Sequence, residues 1–182
     1  EVIKYGVIKD KQLFNKLEQA KDLSSLIRID NFLLSEIIMK SVNTKSEIVE
    51  IDEKETGLRA ILNYGHTFGH VIENLCGYGT WLHGEAVSMG MVAVGELGVQ
   101  LNSWELEESN RQKLLLIKAG LPTRWPSINE EDVLRSLQSD KKVKNGKICF
   151  VIPKSIGEVE IKNDIKNDSI KKCIRKLINL EQ

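Results

Sequence analysis

Residues 56–76 of the chain read TGLRAILNYGHTFGHVIENLC, and their apolar members recur at the spacing of an amphipathic α-helix. We therefore predict one helix over 56–76, stopped by Gly77. Three glycines, Gly57, Gly65 and Gly69, lower its helix propensity by about 1 kcal/mol each relative to alanine. We expect them to mark close approach by a ligand or by another backbone.

Six polar residues of this region fall on one stripe. They follow one another at spacings of 4, 4, 3, 4 and 3 positions. At about 100° per residue, a helix would confine them to a sector of about 80°. Exposed helices usually carry Lys and Glu, so we interpret this stripe as a functional surface rather than a solvated one. Its members are Glu55, Arg59, Asn63, His66, His70 and Glu73.

The histidines of the chain are clustered. His66, His70 and His83 lie within 18 residues, which raises the expectation of a bound metal. On a helix, His66 and His70 project from one face and could share an ion or divide two tasks. His83 opens a helix rich in small residues, where the helix dipole favours a neutral ligand nitrogen, although capping is an alternative role. Two histidines and one carboxylate form a common catalytic zinc set.

Two further positions carry suggestive lysines. Lys45 follows Val42 by three residues and precedes Val49 by four, so we expect it on the apolar stripe of a helix, where it must snorkel or face a polar cavity. The run 140–142, Asp-Lys-Lys, lies between a helix and a hairpin. It is either a solvated charge cluster or a binding point for phosphate or carboxylate.

The remaining sequence predicts a mainly α, multi-helix domain with one small β-hairpin. The hairpin is expected from the runs 147–152 and 159–161, which Pro153 and Gly157 separate. No repeat or Pro/Ser-rich linker divides the sequence, so residues 1–182 are expected to form one domain. Further helices are predicted near 11–20, 31–54, 84–101, 107–119, 129–138 and 166–179.

Composition excludes several classes of protein. The 26 basic and 26 acidic side chains give a formal net charge of zero, which argues against nucleic acid or anionic lipid as a partner. No apolar run approaches the roughly 20 residues that span a bilayer. The three cysteines form no CxxC pair, which fits a reducing compartment, and we expect a cytoplasmic protein.

The chain opens without methionine and within an apolar pattern, EVIKYG. We interpret it as a fragment of a longer protein. Part of any catalytic apparatus would then lie on sequence outside these 182 residues.

Several motifs together resemble the 3-dehydroquinate synthase family. They are RAILNYGHTFGH at 59–70, LHGEAV at 82–87, Gly90-Met91, EVIKYG at 1–6 and the turn at 140–142. The similarity runs essentially from end to end. It implies a largely helical C-terminal domain that binds metal and substrate in a two-domain enzyme, preceded by an NAD-binding α/β domain.

The resemblance also implies roles for individual residues. It removes His70 from the metal ligands and gives it to the substrate phosphate, and it takes Lys141 as the phosphate-binding lysine of the 140–142 turn. The implied metal is Zn²⁺ or Co²⁺. The three implied sets are Glu1, His66 and His83 for the metal; Asn63, His70 and Lys141 for the substrate phosphate; and Lys4, Lys45, Glu55 and Arg59 as catalytic positions.

Members of this family convert 3-deoxy-arabino-heptulosonate 7-phosphate, a phosphorylated sugar acid, to 3-dehydroquinate and phosphate in the shikimate route. The resemblance implies transient use of NAD, β-elimination of phosphate and a homodimer at full length. We expect the isolated fragment to be inactive. The alternatives are another sugar phosphate cyclase, a metal-dependent glycerol or alcohol dehydrogenase, and a non-catalytic helical scaffold.

Overall fold

The computed structural model describes residues 1–53, 57–139 and 148–179, and within these ranges the chain is mainly helical. Strands β1 (Phe150–Ser155) and β2 (Glu158–Lys162) form an antiparallel hairpin with Phe150 opposite Lys162. The predicted fold class is confirmed. The helices are α1 (Val2–Ile8), α2 (Lys11–Gln19), α3 (Asn31–Ile51), α4 (His66–Cys76), α5 (His83–Gln100), α6 (Leu106–Lys118), α7 (Glu130–Ser139) and α8 (Asn167–Asn179), with short 3₁₀ helices at Leu26–Arg28 and Leu58–Asn63.

Helix α5 lies at the centre of the fold. It contacts α4, α6, α8 and β1. Its residues are apolar or small on nearly every side, which is the pattern of a helix that is buried all round. Among the described helices, α5 included, none is both long and apolar enough to cross a bilayer.

Glycines bring α5 against the start of α4. A Cβ built on Gly90 would lie 2.0 Å from the carbonyl oxygen of Gly65 and 2.8 Å from the amide nitrogen of Gly69. The expected close backbone approach is therefore confirmed at Gly65 and Gly69. At Gly57 no described backbone approaches closely, because a built Cβ meets no described atom within 4 Å, and the alternative of a ligand stays a prediction there.

The prediction of one continuous helix over 56–76 is wrong. Residues Leu58–Asn63 form a 3₁₀ helix, and α4 begins only at His66. Between them Gly65 adopts φ +78°, in the left-handed region that favours glycine and cannot continue a right-handed helix. The stripe geometry therefore applies to His66, His70 and Glu73 on α4 but not to the residues before Gly65.

Helix α1 was not predicted from the sequence. It is seven residues long and rich in β-branched residues, with Gly6 in its middle, so its intrinsic helix propensity is low. Its stability comes from packing, since Val7 is fully buried and Gly6 lies directly against Phe14 of α2. The other predicted helices are confirmed with ends shifted by at most three residues, and residues 54 and 147 lie outside the described ranges.

Tyr64 anchors the junction between the 3₁₀ helix and α4. Its ring is completely buried, and its hydroxyl donates a hydrogen bond of 2.7 Å to Gln112 Oε1 on α6. The amide of Gln112 in turn donates to the carbonyl oxygen of Met91 on α5, at 3.0 Å. Burial raises the pKa of Tyr64, so the phenol stays protonated as a donor.

We expect Tyr64→Phe to lower the free energy of unfolding by about 1–3 kcal/mol, because it leaves the buried Gln112 oxygen without its donor. Urea denaturation measures the change. Tyr78→Phe is the matched control, because Tyr78 is 86% exposed and its variant should unfold within about 0.5 kcal/mol of the wild type. Equal stability of all three proteins would contradict the anchoring role.

Candidate metal centre

Three potential metal ligands meet at the starts of three helices. Glu1 precedes α1, His66 is the first residue of α4, and His83 is the first residue of α5. Each offers one ligand atom, and these atoms all lie within 4.8 Å of one another. The imidazole centroids of His66 and His83 are 5.2 Å apart. This juxtaposition joins parts of the chain that are distant in sequence.

The backbone orients the ring of His66. Its Nδ1 lies 3.0 Å from the carbonyl oxygen of Tyr64. A carbonyl oxygen only accepts hydrogen bonds, so Nδ1 carries the proton of the neutral ring and Nε2 keeps a free lone pair. Nε2 faces the Glu1 carboxylate, with Oε1 at 3.4 Å.

The donor set fits a divalent cation. A bare imidazole nitrogen and a carboxylate oxygen repel each other at 3.4 Å unless a proton or a cation lies between them. Two imidazoles and one carboxylate are the ligand types of open catalytic zinc sites. The centre is partly exposed, because His83 is half exposed and Glu1 is also accessible. A substrate can therefore reach it.

Lys4 lies beside this centre. Only 3% of its surface is exposed, and its Nζ donates to Glu1 Oε2 at 2.5 Å and to the Leu62 carbonyl oxygen at 2.7 Å. Burial lowers the pKa of Lys4, and the positive charge of Lys45 lowers it further. The hydrogen bond to Glu1 and the negative charge of Glu1 raise it. Burial alone would raise the pKa of Glu1, but the hydrogen bond from Lys4 and the positive charge of Lys4 hold it below its usual range.

Lys45 is close enough to Lys4 for its charge to be felt there, but it does not lie on a buried stripe. Helix α3 buries Ile37, Thr44 and Ile48, whereas Val42 is 58% exposed and Lys45 is exposed as well. The prediction of an apolar stripe around Lys45 is wrong. Apolar residues occur on two faces of α3, and periodicity alone does not choose the buried one.

The structure also brings His70 close to the two histidines of the centre. His70 lies one turn after His66, with ring centroids 5.8 Å apart, and 6.2 Å from the His83 ring. His70 is not part of the ligand-atom group among the described residues. Asn63 ends the 3₁₀ helix that precedes the Gly65 turn. Glu55 and Lys141 lie outside the described residues.

Arg59 is held by a buried carboxylate that sequence reasoning missed. Asp52 Oδ2 accepts hydrogen bonds from the backbone nitrogens of Gly57, at 2.8 Å, and Arg59, at 2.9 Å. The guanidinium of Arg59 donates to the carbonyl oxygen of Glu53, at 3.1 Å. The acid directly after helix α3 was the available signal, since Asp at such positions often binds nearby backbone amides.

Glu73 is the second residue whose contact was missed. The sequence placed it on the polar stripe without a role, and its Oε1 lies 3.0 Å from His83 Nδ1. Glu73 follows His70 by three residues, so helical spacing places it on the same face of the helix as His66 and His70. The signal was present, but the partner on α5 is ten positions away and only the tertiary fold reveals it.

A cavity of about 510 Å³ is lined in part by Glu1 and Gly84. Apart from Glu1 and Ser88, the described side chains that line it are apolar, and they include Leu17, Ile37 and Met91. It contains neither His66 nor His83. Its lining offers few polar groups, so the group of Glu1, His66 and His83 is the better candidate for polar chemistry.

Residues 1–143 match the family model described as 3-dehydroquinate synthase C-terminal. The chain belongs to the 3-dehydroquinate synthase family. Its relatives in this family include the 3-dehydroquinate synthases of Prochlorococcus marinus (strain NATL2A), 59% identical over 177 residues, and Synechococcus sp. (strain CC9605), 53% identical over 177 residues. Each alignment covers 97% of this chain and 48% of the relative. The chain therefore spans about half the length of the relatives it matches.

Two solved structures share the fold of this chain. ValA (2-epi-5-epi-valiolone synthase) from Streptomyces hygroscopicus subsp. jinggangensis 5008, with NAD⁺ and Zn²⁺ bound, superposes with a TM-score of 0.85 at 23% identity over 98% of this chain and 49% of its own. A 2-deoxy-scyllo-inosose synthase complexed with carbaglucose-6-phosphate, NAD⁺ and Co²⁺ gives 0.76 at 23% identity, over 96% and 50%. At this identity the likeness concerns the fold.

Proposed function

We propose that this chain is the metal- and substrate-binding part of an enzyme that converts 3-deoxy-arabino-heptulosonate 7-phosphate to 3-dehydroquinate and phosphate. The observation that carries the proposal is the convergence of Glu1, His66 and His83 on one point, with Lys4 against them. The family of the chain and the activity of its relatives support the same reaction.

In this proposal Glu1, His66 and His83 hold Zn²⁺ or Co²⁺, the ions present in the two structures of similar fold. Such an ion supplies Lewis-acid polarisation of a substrate hydroxyl. Three protein ligands leave positions for substrate oxygens. The short contact from Lys4 fixes one carboxylate oxygen of Glu1, which leaves the other oxygen facing His66.

The cations of the cleft bind the substrate's negative charges in this proposal. Lys4, Lys45 and Arg59 suit the carboxylate and the oxyanion that develops during the reaction. His70 and Asn63, with Lys141, donate to the phosphate, and the one-turn step from His66 to His70 separates the phosphate donor from the metal ligand. Glu55 completes the proposed catalytic set as an acceptor for substrate hydroxyls.

We further propose that NAD, which supplies transient hydride acceptance, binds mainly to an N-terminal domain on sequence that this chain does not span. The NAD⁺ in both structures of similar fold supports this part of the proposal. The full-length enzyme is proposed to be a cytoplasmic homodimer in the shikimate route, with no nucleic-acid or membrane partner.

The test uses full-length enzyme incubated with the heptulosonate phosphate, NAD and Zn²⁺. We expect phosphate and 3-dehydroquinate to appear in equal amounts without net NADH, because the hydride is returned within the same turnover. The isolated 182-residue chain should give no turnover. Net NADH from glycerol or another alcohol would favour a dehydrogenase, and turnover of only a different sugar phosphate would favour another cyclase. Absence of both stoichiometric metal and turnover would favour a scaffold.

A further inference from the structure

One carboxylate next to the metal centre has no role in the proposed reaction. Glu73 lies on α4, two turns after His66, and its side chain is 16% exposed. Its Oε1 is 3.0 Å from Nδ1 of His83, the first residue of α5. The contact therefore joins the two helices that supply the imidazoles of the centre.

The chemistry of this contact determines which nitrogen of His83 is available. An ionised carboxylate only accepts hydrogen bonds, so Nδ1 of His83 must be the donor. In the neutral ring the proton then resides on Nδ1, and Nε2 keeps its lone pair. A divalent cation requires that free lone pair.

The two histidines reach this state by different means. For His66 the acceptor is the carbonyl oxygen of Tyr64, which the backbone fixes in place. For His83 the acceptor is a side chain, and the ring itself is half exposed. Packing holds a half-exposed ring weakly, so the hydrogen bond from Nδ1 has more influence on its orientation.

We propose that Glu73 is a positioning residue that fixes the tautomer and the orientation of His83 for the divalent metal. The inference rests on the proposed function, since it assumes that His83 binds metal. It goes beyond that function because a carboxylate that does not itself bind the metal controls the metal affinity of the centre. Outer partners of metal-bound histidines typically change metal affinity by about 10- to 100-fold.

The experiment compares Glu73→Ala and Glu73→Gln in full-length enzyme. Zinc affinity is measured by competition with a chromophoric chelator, and the absorption spectrum of the Co²⁺-substituted enzyme reports ligand geometry. We expect Glu73→Ala to weaken zinc binding by about 10- to 100-fold and to alter the Co²⁺ spectrum. Glutamine keeps an oxygen acceptor, so Glu73→Gln should recover part of the affinity.

A second measurement reports the tautomer directly. Proton–nitrogen correlation spectra of metal-free enzyme with isotope-labelled histidine should show the His83 proton on Nδ1 in wild type. Glu73→Ala should shift it toward Nε2. The signal is assigned with His83→Ala. This readout does not depend on turnover, and a general loss of stability would not produce it.

The matched control is Glu85→Gln. Glu85 also lies in the first turn of α5, but its carboxylate accepts from the Leu82 backbone nitrogen, at 2.8 Å, rather than from His83. Glu85→Gln also removes one negative charge, and its zinc affinity should stay within about threefold of wild type. Wild-type zinc affinity and an unchanged His83 tautomer in Glu73→Ala would overturn this inference alone. A wild-type enzyme without stoichiometric metal would overturn the proposed function and this inference with it.

Discussion

Replacing Gly90 by alanine is expected to lower the free energy of unfolding by about 3 kcal/mol, at the upper end of the cost of overpacking. The added methyl would lie 2.0 Å from the Gly65 carbonyl oxygen and 2.8 Å from the Gly69 nitrogen. Both contacts are backbone atoms, so no side chain can rotate away, and α4 must move from α5. Equilibrium urea unfolding followed by tryptophan fluorescence measures the loss, since Trp104 and Trp125 are buried in this domain.

The control for this variant lies on the same helix. A Cβ on Gly84 meets nothing described within 4 Å, so Gly84→Ala should be neutral or stabilising by up to about 1 kcal/mol. A general effect of adding methyl groups to α5 would affect both variants alike. If Gly90→Ala unfolded with the wild-type midpoint, the close approach of α4 and α5 would be refuted.

His66→Ala should reduce zinc affinity by more than about 100-fold, because it removes a proposed direct ligand rather than an outer partner. Full-length enzyme would lose turnover with it. We expect this loss because Nε2 of His66 faces the Glu1 carboxylate, where the proposed ion would bind. Zinc content after dialysis, and competition with a chelator, measure the change.

His70→Ala is the matched comparison, one turn along the same helix. We expect it to keep stoichiometric zinc and to weaken substrate binding and turnover instead, as a phosphate-binding residue would. Loss of zinc from His70→Ala, with zinc retained by His66→Ala, would reverse the proposed assignment of the two imidazoles.

The sequence predicted much of this fold because its strongest patterns are local. Gly77 was expected to stop a helix, and α4 ends at Cys76. The hairpin followed from two short apolar runs near Pro153 and Gly157 and is confirmed, although Pro153 lies within β1 rather than between the strands. Periodicity and turn chemistry act over a few residues, and such features are readable without a structure.

The errors arise where distant contacts override local pattern. Nothing near Gly65 in sequence shows that Gly90 presses against it, and that contact accompanies the break in the predicted 56–76 helix. Helix α1 forms because it is buried against α2, not because its residues favour helices. The group of Glu1 with His66 and His83 came from resemblance, because spacing within the sequence cannot bring a terminal glutamate to α4.

The contact between Lys4 and the Leu62 carbonyl joins residues 58 positions apart. Closing so long a loop costs conformational entropy, which slows the formation of this contact. Local helices therefore form well before Lys4 meets Leu62. An ion encountering the nascent polypeptide therefore finds scattered single donors with weak attraction. The proposed ion would therefore be captured strongly only after tertiary assembly has brought its three ligands together, so we expect metal loading to be a late maturation step rather than a nucleus for folding.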